Sequence, residues 1–162
     1  MSINDWLPEP ADVSLWEEDL EALIENLYSI YECDFIQRPP SFRCVPVQRK
    51  KYPLTDGKDT TFWHIISQGT EPERQLVPER CRCLPWIKPI ILNETADEVK
   101  VWPVKRNQET RYNLFLEDKN FLVVLAERKG YYIIWTAYPV YAHTKRKLLK
   151  QYIENTKTEV AS

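Results

Sequence analysis

Two β-forming runs near the C-terminus constrain the fold more than any other feature of this sequence. Residues 121–128 and 131–140 are rich in β-branched and aromatic side chains, and Lys129-Gly130 lies between them. A glycine at this point supplies the positive φ that a tight hairpin turn requires. The pattern predicts an antiparallel hairpin over 121–140, and the nearly continuous apolar character of both runs predicts burial on both faces near the centre of a sheet.

Length and composition indicate one globular domain, residues 1–162, with an apolar core. Hydrophobic residues make up 43% of the chain, which is enough to bury a core. With 3 glycines against 12 prolines, the chain lacks the material for glycine-rich phosphate or dinucleotide loops. No apolar run approaches the roughly 18 residues of a membrane helix, and the start shows no signal-peptide pattern. We therefore expect a soluble, cytoplasmic protein with no membrane partner.

Charge is distributed unevenly along the chain. Residues 1–36 contain ten acidic and no basic residues, whereas the rest of the chain holds all 22 basic residues and 14 acidic ones, a net charge of +8. A basic body of this kind is compatible with a polyanionic ligand such as nucleic acid. The acidic segment either packs against the basic body as internal compensation or masks it as an internal brake.

The remaining segments predict an α+β fold, in which an N-terminal helix or helices pack on a small antiparallel sheet and a basic helix ends the chain. Ser14-Leu15-Trp16-Glu17 has the form of a capping box and predicts that the acidic helix begins there. Four prolines make residues 38–57 an extended connector. The other predicted elements are a strand or short helix over 61–67, edge strands over 85–92 and 99–104, a short strand over 112–116 and a basic helix over 144–155.

The candidate chemical groups are a histidine and a pair of hydroxyls. His64 lies among apolar neighbours, so it is either a hydrogen-bonded core residue or a general base, to which a pKa near 6.5 is suited. The chain's other histidine, His143, precedes the basic helix and fits a surface or cap position. Thr136 and Tyr138 are two residues apart on the last strand, which places both hydroxyls on one face.

Arginines are the candidate phosphate ligands, because the guanidinium fork pairs with phosphate through two hydrogen bonds. If residues 80–86 are extended, alternation points Arg80 and Arg82 to one face. Zinc spacing is absent from the sequence, so we expect no metal and no cofactor, and we expect Cys33, Cys44, Cys81 and Cys83 to be free thiols. An alternative is the Glu98-Val99-Lys100 triplet, which matches the end of a two-metal nuclease strand.

Four segments read together resemble the phage- and mobile-element-associated branch of the barnase–EndoU–colicin–RelE-like nucleases. The segments are Thr61-Phe62-Trp63-His64-Ile65-Ile66-Ser67, the Arg-rich residues 80–91, Arg111-Tyr112, and residues 121–138 ending in Trp135-Thr136-Ala137-Tyr138. The likeness covers a nuclease-like α+β core over about residues 60–155. The Arg-rich segment departs from the family pattern at two positions, because Cys83 stands where a further arginine is expected and Arg82 stands where an acidic residue is common.

The resemblance implies metal-independent cleavage of RNA by its own 2′-hydroxyl, with RNA as the substrate. The resemblance assigns roles to His64, Arg80, Thr136 and Tyr138, and to either Arg74 or Arg111 as a further cation. From the resemblance together with the residue pattern, we predict as catalytic residues His64, Arg80, Arg82, Thr136 and Tyr138, and as substrate-binding residues Arg74, Arg111, Arg128 and Lys145. A toxin or mobile-element effector of this type would need a neutralising partner such as an antitoxin or immunity protein. The competing interpretation is a non-catalytic RNA- or protein-binding module on the same fold.

Overall fold

The structure is a computed structural model, and it describes residues 2–70 and 73–161, except for the side chains of residues 158–161. Its architecture is α+β, as predicted. The helices are α1 (Leu20–Tyr31), α2 (Thr60–Ile66), α3 (Pro78–Cys83), α4 (Ile87–Leu92) and α5 (Ala142–Ala161). The strands are β1 (Ser41–Phe42), β2 (Val45–Gln48), β3 (Ser67–Gln68), β4 (Gln75–Leu76), β5 (Val99–Arg106), β6 (Glu109–Leu116), β7 (Phe121–Arg128) and β8 (Tyr131–Pro139).

The main sheet within the described residues has six strands in the order β1-β2-β8-β7-β6-β5. It is larger than the small antiparallel sheet that the sequence predicted, and it is mixed, because β2 runs parallel to β8. The extra strands come from residues 38–57, which were predicted as an irregular connector but contain β1 and β2. Two-stranded contacts this short carry little sequence signal, since each pairing involves only a few residues.

The hairpin of β7 and β8 is confirmed at the centre of this sheet. The strands pair in antiparallel register from Phe121–Pro139 to Arg128–Tyr131, and Gly130 adopts φ +87° in the turn. Residues 121–126 of β7 are all buried. The prediction of a strand covered on both faces is therefore confirmed for β7.

A β-bulge interrupts the hairpin at Trp135. Val124 pairs with Thr136 and Leu125 pairs with Ile134, so Trp135 is an extra residue with no opposite partner on β7. Directly paired residues share a face of the sheet. Leu125 and Ile134 belong to the core under helices α1–α4, whereas Val124 belongs to the core under α5. The bulge thus turns Thr136 to the α5 face.

Helix α1 is part of the larger core. Leu23, Leu27 and Tyr31 are buried in it, and Glu25 pairs with Lys58 at 2.5 Å. The acidic N-terminal helix is thus packed into the core and pairs one of its carboxylates with the basic body, which supports the first of the two interpretations of its charge. Removing residues 1–36 would remove part of this core, so unfolding is the expected consequence of that deletion rather than exposure of a basic surface.

The start of α1 differs from the prediction. The helix begins at Leu20 with Asp19 as its cap, whose carboxylate accepts a hydrogen bond from the backbone N–H of Ala22 at 3.1 Å. Ser14 lies in a preceding turn, where its own N–H donates to the carboxylate of Asp12 at 2.9 Å. Both Ser14 and Asp19 are good cap residues, and the chain uses the second one.

The strand predicted over 85–92 is wrong, because residues 78–92 are helical throughout. Helix α3 is followed by a 3-10 turn over Leu84–Trp86 and then by α4. Pro78, Pro85 and Pro89 each lie in the first turn of a helical segment, where the missing N–H has no intrahelical partner to lose. The prolines that indicated strand edges are therefore helix-start signals.

Two further helices complete the comparison with the sequence. Of the segment 61–67, predicted as a strand or short helix, residues 61–66 lie in α2 and Ser67 begins β3. The C-terminal helix runs from Ala142 to Ala161, beyond the predicted 144–155. All four cysteines are free thiols, of which Cys81 and Cys83 are buried.

In the part of the chain that the structure describes, none of the helices combines the length and apolar character needed to cross a bilayer.

Candidate functional site

A cleft forms where β8 loses its neighbouring strand. β2 pairs with β8 only through Val47–Tyr132 and Gln48–Ile133, and beyond this point α2 and α3 pack beside β8 instead. The cleft has a volume of about 380 Å³, within the usual size range of ligand pockets. Its polar lining consists mainly of Lys50, Thr60, His64, Arg74, Arg80 and Thr136.

His64 reaches this cleft because α2 turns its other side to the core. Phe62, Ile65 and Ile66 are buried, whereas His64 is partly exposed and lines the cavity. Of the two interpretations of this histidine, the structure does not support a fully buried core position. A base that abstracts a proton from a ligand must reach that ligand, and His64 lies where it can do so.

Arg74 and Arg80 converge on the end of α2 and form part of the cleft wall. Arg80 Nη1 donates to the carbonyl oxygens of His64 at 3.3 Å and Ser67 at 2.7 Å. Arg74 donates from Nη2 to the same Ser67 carbonyl at 3.0 Å and from Nη1 to the carbonyl of Gly69 at 2.5 Å. The carbonyls of His64 and Ser67 are groups that the end of α2 leaves without intrahelical partners, and the four contacts together fix both guanidinium groups in place.

The electrostatics of this wall favour an anionic ligand. Burial, and next the nearby charge of Arg74, lowers the pKa of Arg80 from its usual value. A guanidinium nevertheless stays protonated in proteins, so two like charges are held close together in a half-buried position. An anion bound between them would offset this repulsion, and it would also be attracted by the positive charge of Lys50, which lines the same cleft.

Thr136 and Tyr138 share one face of the sheet, as their spacing predicted. Tyr138 pairs with Leu122, and both Leu122 and Val124 lie on the α5 side. Tyr138 does not itself line the cleft, but its ring lies close to it, because the Arg80 guanidinium is 5.5 Å from the ring centroid. This places a phenol directly beside one of the two cleft arginines.

A second cavity lies on the α5 side of the sheet and adjoins the first. It also has a volume of about 380 Å³, and Trp135 and Thr136 line both cavities. Arg111 reaches it from β6, with its guanidinium 4.1 Å from the centroid of the Trp135 ring and 2.7 Å from Glu109. Trp135 therefore stands between the two cavities, with 43% of its surface exposed.

Three of the predicted residues lie elsewhere. Arg82 is two positions from Arg80 on a helix, which turns it about 200° away, and it pairs with Glu79 at 2.8 Å on the surface. Arg128 pairs with Glu109 at 2.5 Å near the hairpin turn. Arg82, Arg128 and Lys145 are not among the described residues that line either cavity. The expectation that Arg80 and Arg82 point to one face fails because the segment is helical.

Lys50 and Trp135 are among the lining residues that the sequence did not single out as candidate site residues. Lys50 is placed by contacts from the connector to α2, in which its N–H donates to the Thr61 hydroxyl at 2.7 Å and its carbonyl accepts from the Thr61 N–H at 3.0 Å. The position of Trp135 depends on the β-bulge, and the alternation of residue types in the sequence does not indicate this bulge. Neither position could be recognised without knowing which distant segments meet.

The structure holds no grouping of three or more metal-ligating side chains among the described residues. Lys100, from the alternative two-metal triplet, lies on β5, the outermost strand of the sheet, and forms an ion pair with Glu117 at 2.6 Å.

No protein-family model, curated protein or solved structure matches this chain.

Proposed function

We propose that this chain is an endoribonuclease that cleaves RNA by attack of the RNA's own 2′-hydroxyl, with the cleft beside β8 as its active site. The observation that supports this proposal is the meeting of His64, Arg74, Arg80 and Thr136, from four separate parts of the chain, in one cavity. A base, a pair of fixed cations and a hydroxyl are the groups that such a reaction requires.

In the proposed reaction His64 takes the proton from the 2′-hydroxyl, and the resulting oxygen attacks the adjacent phosphorus. The bond from phosphorus to the 5′-oxygen breaks, and this oxygen receives a proton from Tyr138. Arg74 and Arg80 stabilise the extra negative charge of the phosphorane-like transition state, while Thr136 positions a phosphate oxygen. The products are a 2′,3′-cyclic phosphate and a free 5′-hydroxyl.

The proposal is tested with a single-stranded RNA oligonucleotide incubated with the purified protein in EDTA. We expect fragments ending in a 2′,3′-cyclic phosphate, identified by mass spectrometry. A matched oligonucleotide with one 2′-deoxynucleotide at the cleavage position should resist cutting there, because it lacks the nucleophile. Intact RNA after prolonged incubation, cleavage at the deoxynucleotide or strict dependence on added magnesium would each contradict the mechanism.

Two arginines of α3 provide a matched comparison for the cleft. We expect Arg80→Gln to lower the cleavage rate by about 10²- to 10³-fold, as is typical when a group that stabilises transition-state charge is removed. Arg82→Gln should leave the rate within about twofold of wild type, because this exposed side chain pairs with Glu79 away from the cleft. The measurement is the single-turnover rate on the same oligonucleotide, and equal losses in both variants would remove Arg80 from the site.

A second candidate function, a non-catalytic RNA-binding module, is favoured by one observation. The guanidinium groups of Arg74 and Arg80 already donate to backbone carbonyls at the end of α2, which is a structural task. A module of this kind would bind RNA with an affinity that falls steeply with salt and would release it uncut. The oligonucleotide assay in EDTA separates it from the nuclease, since only the nuclease yields a cyclic phosphate.

A further inference from the structure

We propose that the second cavity, on the α5 side of β8, is a base-binding subsite that takes one unpaired base of single-stranded RNA next to the cleaved phosphate. This inference deepens the proposed function and rests on it for the identity of the ligand. The cavity adjoins the cleft through Trp135 and Thr136, so one strand can occupy both. A base bound there would belong to a nucleotide neighbouring the phosphate held by Arg74 and Arg80.

The stacking surface of this subsite is Trp135. The bulge places its indole on the sheet surface, and the Arg111 guanidinium covers the ring at 4.1 Å from the centroid. Arg111 is held from behind by Glu109, at 2.7 Å. An exposed tryptophan, 43% accessible as a whole residue, whose ring is already stacked against a fixed cation is a suitable platform for a base.

Two side-chain amides line this cavity, those of Asn113 and Gln151, and the neighbouring Trp102 determines how both are oriented. The indole N–H of Trp102 can only donate, so the atom of Gln151 that faces it at 2.8 Å is the amide oxygen. The same oxygen faces the amide nitrogen of Asn113 at 3.5 Å. Gln151 Nε2 and Asn113 Oδ1 have no hydrogen-bond partner among the described residues, which leaves one donor and one acceptor for the edge of a base.

Further basic residues complete the cavity as a site for a nucleotide rather than a free base. Arg106 and Lys147 line it from β5 and α5, and both are exposed to solvent. Exposed cations track the phosphate backbone without reading sequence. A duplex cannot enter in this way, because each of its bases is already stacked on both faces and paired along its edge.

The test uses a fluorescein-labelled 2′-O-methyl RNA octamer, which the nuclease cannot cut, with binding followed by anisotropy. We expect Trp135→Ala to weaken binding of the single strand by about 5- to 100-fold. Trp135→Phe should recover most of the affinity, since it restores an aromatic face. Tyr141→Ala is the matched control: it removes an aromatic side chain that is more exposed than Trp135 but lines neither cavity, and it should bind like wild type.

The same octamer annealed to its complement should bind wild-type protein more weakly than the single strand at equal salt. Equal affinity of Trp135→Ala and wild type, or a preference for the duplex, would overturn the subsite. The proposed function can fail independently. If the protein does not cut RNA but still binds the single strand in a Trp135-dependent way, the base-binding subsite stands and the nuclease proposal is wrong. If the protein cleaves RNA but Trp135→Ala binds the single strand like wild type, the nuclease proposal stands and the subsite is wrong.

Discussion

Replacing His64 with alanine is expected to lower the rate of RNA cleavage by about 10²- to 10⁴-fold, the usual contribution of a general base. The cavity would keep its cations and Thr136, so RNA should still bind. The loss should therefore appear in the rate constant at saturating protein, with little change in affinity for an uncleavable 2′-O-methyl strand. Single-turnover cleavage in EDTA measures the first quantity, and anisotropy measures the second.

The chain supplies its own control in His143, the other of its two histidines. His143 is exposed in the first turn of α5 and lines neither cavity, so His143→Ala should cleave at the wild-type rate. His64 lies two residues after the buried Phe62 on a short helix, so its replacement could disturb the packing of this helix. Thermal unfolding of both variants must therefore be measured together with the kinetics. A folded His64→Ala protein that cuts RNA as fast as His143→Ala would exclude this imidazole as the base.

The parts of the fold that the sequence predicted well are those determined by neighbouring residues. The hairpin of β7 and β8 follows from two apolar runs with a glycine between them, and its turn is where Gly130 predicted it. The shared face of Thr136 and Tyr138 follows from their spacing, since the bulge lies before both residues rather than between them. In both cases the local side-chain period of a strand is sufficient for the prediction, because no contact with a distant segment alters it.

The helical stretch over 78–92 shows where local signals are ambiguous. Proline marks both the edge of a sheet and the first turn of a helix, and residue type alone does not distinguish the two. Here Leu84, Ile87 and Ile91 recur at helical spacing and are buried, a pattern that the strand interpretation did not take into account. The error also affected the predicted site, because an extended segment would have placed the side chains of Arg80 and Arg82 on one face.

The candidate site depends on contacts between distant segments, which explains what the sequence left out. Lys50 reaches the cleft because β2 pairs with β8 and because its backbone is bound to Thr61 of α2. Trp135 is presented by a bulge, and a single extra residue changes no composition or motif. Pairing register is set by the tertiary structure, so neither position could be read from the residue pattern.

The contacts that hold α2, and with it His64, centre on Asp59. This carboxylate is 1% exposed, accepts hydrogen bonds from Tyr31 Oη at 2.8 Å and Arg49 Nε at 2.7 Å, and belongs to the residue before α2. Burial, and next the hydrogen bond to Asp59, raises the pKa of Tyr31 far above its usual value, so the phenol remains a donor. Asp59 thus joins α1, the connector and α2 at one buried point.

Asp59→Ala is expected to lower the free energy of unfolding by about 3–5 kcal/mol, because it leaves the partly buried Arg49 cation and a buried phenol without their acceptor. Urea denaturation followed by circular dichroism measures the loss as a lower midpoint at unchanged slope. Asp97→Ala, which removes an exposed carboxylate, should stay within about 0.5 kcal/mol of wild type. If the two variants unfold at the same urea concentration, the Asp59 cluster does not anchor α2, and the position of His64 must depend on the other contacts of this helix, its buried apolar side chains and its hydrogen bonds to Lys50 and Arg80.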